Sequence, residues 1–225
     1  MDKRTALLYV QLKQYKYLVQ KTNWFIEWAL SQVNSPYVSC SFGKDSSVML
    51  DLVVKQIPGI AVNFLCKSET DLIDDYSKVI TWWKKNRDVD TNRISYLGWL
   101  EGSTKTGIAA NMPDNGNDAF FVGLRKDESF GRGLSLRKHG KFFKMKSGKI
   151  RVSPLADWKV TDIAAYMVAN ELPVLNAYIR EGFEARTTSN IPSKYPQESI
   201  ARLKDADISA YNKLLKLLPD AKYFT

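Results

Sequence analysis

Between Ser41 and Ser47 the chain reads Ser-Phe-Gly-Lys-Asp-Ser-Ser. Small hydroxyls, a glycine and a full positive charge within one turn of chain are the groups that hold an oxyanion. Ser41, Ser46 and Ser47 can donate O–H bonds, Gly43 lets the backbone come close, and Lys44 supplies charge. Asp45 is the odd member. Beside a phosphate an aspartate either caps a helix or holds Mg²⁺. The chemistry open to these residues is retention of a phosphate or sulfate tail and neutralisation of the charge that builds on a leaving group. A Walker A loop is excluded: that motif needs Ser or Thr after its lysine and a glycine five residues before the Gly-Lys pair. Here Asp45 follows Lys44 and Val38 stands upstream.

The neighbouring sequence supplies the elements that would position such a loop. "YVSCS", ending at Ser41, reads as a short strand and "DSSVMLDLVVKQI" as a helix stopped by Pro58-Gly59. A helix that begins at Asp45-Ser46 turns its free N–H groups and its positive dipole end toward the loop. "IAVNFLC" is a second strand, apolar on both faces as in a parallel sheet. "DLIDDYSKVITWWKKN" reads as a helix, "RISYLG" as a third strand, "DAFFVGLR" as a fourth, and "KFFKMKSGKIRV" as a hairpin turning at Ser147-Gly148. "KVTDIAAYMVANE" is a further helix, and one or two helices close the chain. Residues 5–33 read as one long amphipathic helix with Trp24, Phe25 and Trp28 on one face, stopped by Asn34, Ser35 and Pro36. Gly98 to Asn117 is read as a long loop and a candidate lid or substrate loop. Alternating strands and helices predict an α/β fold: a mostly parallel twisted sheet with helices on both faces and a helical C-terminal extension. The expected divisions are 1–35, an N-terminal helix; 36–192, the nucleotide-binding domain; and 193–225, a C-terminal helical segment.

Composition narrows the function classes. The chain has 225 residues, 44% hydrophobic, with a net charge of +9. This suits a packed core and anionic partners. The two cysteines, Cys40 and Cys66, lie in apolar strand-like runs and are read as buried free thiols. His139 is the only histidine, so a zinc site and Ser-His or Cys-His catalysis are not expected. No leader pattern or membrane-length apolar run is read, and the expected location is cytoplasmic, without membrane attachment. After "FFVGL" come Arg125, Lys126, Arg132, Arg137 and Lys138, a basic cluster that can clamp a phosphate or sulfate, with Asp127 and Glu128 either to hold Mg²⁺ or to orient the arginines. The alternative is a solvated loop, and His139 is read as an exposed loop residue.

"SFGKDSS" resembles the PP-loop of the N-type ATP pyrophosphatases, Ser-Gly-Gly-x-Asp-Ser, with Phe42 in place of one glycine. The lysine before the aspartate points to the branch of phosphoadenosine phosphosulfate (PAPS) reductase and the small subunit of ATP sulfurylase. "FFVGLRKDES" is similar to that family's strand and Gly-(Ile/Leu)-Arg-x-x-Glu-Ser, here Gly123, Leu124, Arg125, Glu128 and Ser129. "RVSPLADWKVTDIAAYMVANELPVLNAYIREGF" resembles its "PL-x-DW-x-x-x-D" segment and the stretch C-terminal to it, through Pro154, Leu155, Asp157, Trp158, Asp162, Tyr166, Asn170, Leu172, Pro173, Tyr178 and Gly182. The likeness runs from about Tyr37 to Pro192 and implies an adenine nucleotide α hydrolase-like fold. It implies nucleotide contacts from Ser39, Ser41, Phe42, Gly43, Lys44, Asp45, Ser46, Gly123, Arg125, Arg132, Arg137 and Arg186. Lys44, Asp45 and Arg125 would be catalytic and Asp45 would be the Mg²⁺ ligand.

Two departures qualify the likeness. No cysteine follows Cys66, whereas the reductases carry a nucleophilic cysteine near the C-terminus; "EARTTSNIP" stands where relatives place thiols. Thiol-dependent reduction and a Cys-ligated iron–sulfur cluster are therefore not expected. "CKSETDL" replaces the usual Asp-Thr-Gly turn. The expected function is binding of ATP or PAPS, with cleavage or transfer at the phosphate or sulfate end by an enzyme without a thiol nucleophile. The alternatives are ATP-dependent modification of tRNA or DNA, and a non-catalytic nucleotide-binding subunit that acts through a protein partner or as a homodimer.

Overall fold

The computed structural model describes residues 1–66, 74–95, 116–184, 200–201, 204–205, 208–217 and 219–224. The candidate lid before Gly116, the turn after Cys66, and Arg186 with the segment around it lie outside the described residues, as does the Cys66 side chain.

Six strands form one sheet: β1 (Pro36–Ser39), β2 (Ala61–Cys66), β3 (Thr91–Ser95), β4 (Ala119–Val122), β5 (Phe142–Lys144) and β6 (Ile150–Val152), in the order β3-β2-β1-β4-β6-β5. All neighbours are parallel except β5 and β6, which pair as the antiparallel hairpin read from the sequence. Val38, Val62 and Phe121 are fully buried, as a sheet covered on both faces requires. Strand order runs outward from β1 through β2 to β3, then returns to β4 on the other side of β1. The reversal makes the gap beyond the carboxyl ends of β1 and β4 a topological switch point, where ligands of open α/β sheets bind.

The helix after β1, α3 (Lys44–Val54), is buried along almost its whole length. Asp51 sits fully buried in its apolar face. It is held by Arg87 Nε at 3.0 Å, the Tyr166 hydroxyl at 2.8 Å and Lys55 Nζ at 2.6 Å. Burial, reinforced by the Asp51 charge, pushes the Tyr166 phenol far above its ordinary range, so its O–H remains a donor. Arg87 ends α4 (Asp74–Arg87), and Tyr166 lies on α6 (Val160–Ala169), so one carboxylate ties three helices together.

The single N-terminal helix of the sequence reading is two helices, α1 (Lys3–Tyr9) and α2 (Lys13–Ser31). Asp2 caps α1 by accepting from Thr5 N at 2.9 Å. The Tyr9 hydroxyl donates to Asp162 at 2.9 Å, which anchors α1 on α6. Leu12 then turns extended, at φ −60° and ψ 134°, and α2 leaves in a new direction. Tertiary contact to α6 overrides a continuous helical pattern here. Trp158 is buried as core and donates from Nε1 to Thr22 Oγ1 of α2 at 2.9 Å.

The basic loop expected after β4 is instead a helix, α5 (Phe130–His139), and His139 is its last residue. Ser129 caps it by accepting from Arg132 N at 3.3 Å, Gly140 ends it at φ 74°, and Leu136 buries one face. Gly131 and Gly133 weaken the helical signal in sequence. Gly133 is needed, because a Cβ there would stand 2.9 Å from the Lys126 carbonyl oxygen. A short helix, α7 (Asn176–Glu181), a later helix (Ile208–Leu217) and a 3-10 helix (Pro219–Phe224) follow. Among the described residues no helix is long and apolar enough to cross a membrane.

Candidate functional site

The loop from Cys40 to Gly43 leaves β1 at the switch point. Phe42 adopts φ 53°, the left-handed conformation that glycine takes without cost and that the PP-loop pattern fills with glycine. Its ring is 1% exposed and meets Phe64 edge to face at 5.3 Å, so the side chain goes into the core. Packing of that ring offsets a left-handed strain of about 1 kcal/mol. Gly43 is the N-cap of α3 and brings no capping side chain; among the first amides of the helix, Lys44 N bonds the Tyr178 hydroxyl from outside it. Ser41 Oγ and Ser46 Oγ lie 3.1 Å apart, and Ser46 donates to the Gly43 carbonyl at 3.0 Å. Ser47 Oγ is buried and has no hydrogen-bond partner among the described residues. Ser39 ends β1, in register with Asn63 and Val122.

The strand β4 delivers the second half. Gly123 passes so close to α3 that a Cβ would lie 2.8 Å from the Asp45 carbonyl carbon and 2.9 Å from both the Asp45 oxygen and Ser46 N. Two residues on, Arg125 is 3% exposed and donates from Nε to Asp45 Oδ1 at 2.5 Å and from a terminal nitrogen to Asp127. Lys44 is 5% exposed, with Nζ 3.8 Å from Asp45 Oδ2 and 4.9 Å from the centre of the Tyr178 ring. The Tyr178 hydroxyl accepts from Lys44 N at 3.4 Å, and its ring stacks on Phe183 at 6.1 Å. The fold thus brings Lys44, Asp45, Arg125 and Asp127, 80 residues apart in sequence at the widest bond, into one cluster.

Two buried cations converge on one nearly buried carboxylate. With Asp127 also on Arg125, two cations face two carboxylates, and the buried positive charge at the helix N-terminus is balanced. A phosphate or sulfate brought to the loop can take over from Asp45 as the partner of both cations. A resident metal fits poorly: Asp45 faces Arg125 on one oxygen and Lys44 on the other, and among the described residues no three Asp, Glu, His or Cys side chains converge. The expectation that Asp45 holds Mg²⁺ therefore meets a carboxylate already committed to two cations.

Arg132 pairs with Glu128 on the first turn of α5, and Arg137 is exposed on its last turn, so both lie along α5 outside the Lys44–Arg125 cluster. Cys40 is buried and burial pushes its thiol up to about 12, with the Phe42 N–H bond only partly opposing this. A thiol so protonated and covered is no nucleophile, which agrees with its reading as packing. Tyr178 was visible in the sequence only as one position of a motif; its place over Lys44 depends on α7 folding back onto the loop.

A mostly parallel α/β sheet with a buried lysine and arginine at its switch point is the class these features define. The chain belongs to the phosphoadenosine phosphosulfate reductase family: residues 35–185 match the phosphoadenosine phosphosulfate reductase domain. It is similar to the phosphoadenosine 5'-phosphosulfate reductase of Buchnera aphidicola subsp. Acyrthosiphon pisum (strain Tuc7), 25% identical over 201 residues, covering 77% of this chain and 80% of that protein. The homologue from strain 5A matches equally, at 25% over 201 residues. Among solved structures, the phosphoadenylyl-sulfate reductase of Candida auris in phosphate complex superposes with a TM-score of 0.52 over 75% of this chain and 90% of that chain, at 16% identity. This last likeness is one of fold.

Proposed function

We propose that this protein binds an adenine nucleotide, ATP or PAPS, with its phosphate or phosphosulfate tail in the β1–α3 loop, and catalyses substitution at that tail by an external acceptor. The observation that carries the reading is the convergence of buried Lys44 and Arg125 at the N-terminus of α3. The acceptor is water or another hydroxyl. Its oxygen forms a bond to the α-phosphorus as the bridging P–O bond breaks. The electron pair leaves with pyrophosphate from ATP, or with sulfate from PAPS, and the acceptor's proton passes to solvent. Lys44 and Arg125 neutralise the charge that grows on the leaving group, where a nearly dry site makes each charge count most. Ser41, Ser46 and Gly43 orient the tail. The step calls on no thiol: Cys40 beside the loop is buried.

Calorimetric titration with ATP and PAPS, followed by assay of pyrophosphate and AMP from ATP and of sulfate and adenosine 3',5'-bisphosphate from PAPS, tests this. Lys44→Ala and Arg125→Ala should each lower turnover by about 10²–10³-fold, the loss typical of one charge-stabilising group. Unchanged turnover in both variants, or no binding of either nucleotide, would sink the proposal.

A further inference from the structure

The solvent side of α2 is aromatic. Its buried residues, Tyr15, Thr22, Ile26 and Ala29, face the core. On the opposite side Tyr17 is 60% exposed, Trp24 56% and Trp28 47%. At about 100° per residue these three rings share an arc of about 40°. Lys21 stands beside them, so Tyr17, Lys21, Trp24 and Trp28 follow at intervals of four, three and four residues. That is the spacing of a coiled-coil seam, and the arc has the width of one. Trp28 is braced from behind by Phe142 at 5.0 Å and Phe25 at 5.8 Å. Tyr17 and Trp24 have no hydrogen-bond or ring partner among the described residues. One flank of the seam is the row Lys13, Gln20 and Glu27, each two turns from the next and all exposed. None of Lys13, Lys21 and Glu27 forms an ion pair with a described residue.

We infer that this face pairs with the same face of a second copy of the chain, the two α2 helices running antiparallel about a two-fold axis beside Gln20. Lys13 and Glu27 lie seven residues either side of Gln20. The axis therefore brings Lys13 of each copy to Glu27 of the other, and Gln20 to its equivalent. In the seam, Lys21 of each copy lies against the Tyr17 ring of the other, a cation over an aromatic face. Parallel helices would instead set Lys21 against Lys21 and keep Lys13 far from Glu27. A lipid surface takes a broader apolar face than this arc, and Lys21 interrupts it. With about 200 Å² to a ring, the exposed fractions leave roughly 330 Å² on each copy. Two copies bring roughly 650 Å² of aromatic surface, and the stems of Lys13, Gln20 and Lys21 carry the contact to about 1,000 Å², enough for a specific but weak interface. The inference stands apart from the nucleotide reading, because no residue of the seam belongs to the Lys44–Arg125 cluster.

Sedimentation equilibrium of the full chain from about 1 to about 300 µM tests it, a range that brackets the association expected of an interface this small. The wild type should approach twice the mass of one chain at the upper end. Trp24→Gln, at an exposed ring, should keep the circular dichroism and melting curve of the dilute wild type. It should weaken self-association at least ~100-fold, because each dimer loses two central anchors. Lys13→Glu and Glu27→Lys should each weaken it about 3- to 30-fold, through two like-charge contacts per dimer. An equimolar mixture of these two variants should associate as well as wild type, because every altered charge then meets its opposite. A chain that stays monomeric throughout overturns the inference. So does a Trp24→Gln variant that dimerises normally, or a mixture no tighter than either variant alone. Phosphatidylserine vesicles or single-stranded RNA that quench the tryptophan fluorescence of the wild type but not of Trp24→Gln, while the chain remains monomeric, would identify another occupant and overturn it too.

Discussion

Replacing Asp45 by asparagine separates two roles for that carboxylate. In the structure Asp45 is the shared partner of Arg125, at 2.5 Å, and of Lys44, at 3.8 Å; their side chains are only 4% and 6% exposed. Asp45→Asn keeps the shape and one hydrogen bond from Arg125 but removes the negative charge. Breaking a buried pair by removing one charge costs about 3–5 kcal/mol, and the retained bond argues for about 3. For a chain of this size that is a fall in Tm of about 6–12 °C. Anion binding should move the other way. An anion resting on both cations lies roughly 5 Å from the Asp45 carboxylate. Losing that repulsion is worth about 1–3 kcal/mol at effective dielectrics between about 80 and 20, or roughly 5- to 150-fold in affinity. Differential scanning calorimetry and titration with sulfate, pyrophosphate and ATP, each in EDTA and in Mg²⁺, read both effects. A variant as stable as wild type, or one that binds pyrophosphate more weakly in EDTA, refutes the reasoning. Weaker binding only in Mg²⁺ would instead identify Asp45 as a metal ligand.

Gly123→Ala should cost about 1–3 kcal/mol in denaturant melts and weaken nucleotide binding at least ~10-fold. Its Cβ would meet the backbone of Asp45 and Ser46, which cannot swing aside. Phe42→Gly should relieve the φ 53° strain of about 1 kcal/mol yet lose about 3–5 kcal/mol of ring packing, for a net loss of about 2–4 kcal/mol read by urea unfolding. Asp51→Ala should destabilise by about 3–5 kcal/mol, because Arg87 and Lys55 lose their buried partner at the opposite end of α3 from the loop; Asp51→Asn should recover part of that loss. Stability should decline on the alkaline side. Burial raises the Cys40 thiol to about 12 and raises the Tyr37 phenol, so above about pH 9 the unfolded chain ionises while the folded one stays protonated. Each group then subtracts up to about 1.4 kcal/mol per pH unit, and melts between pH 8 and about 10.5 should show Tm falling steadily.

Local pattern was enough for a good part of this protein. Alternation and apolar runs placed all six strands within a few residues, the hairpin turn at Ser147-Gly148, and the strand–loop–helix join around Gly43. Those features are written in nearest neighbours: a glycine for close approach, hydroxyls and a lysine for an anion, β-branched and aromatic runs for a covered sheet. The helix α5 was hidden because Gly131 and Gly133 lower helix propensity, while the reason for Gly133, contact with the Lys126 carbonyl, is tertiary. The break between α1 and α2 likewise follows from the Tyr9–Asp162 bond, made across 153 residues. The sequence alone named Lys44, Asp45 and Arg125 as candidates but could not say that both cations would be buried against Asp45, with Asp127 as a second partner of Arg125. That outcome depends on β4 lying beside β1 and on Gly123 touching α3. It is decided by how the sheet is ordered, because charge pairing and desolvation act through space rather than along the chain.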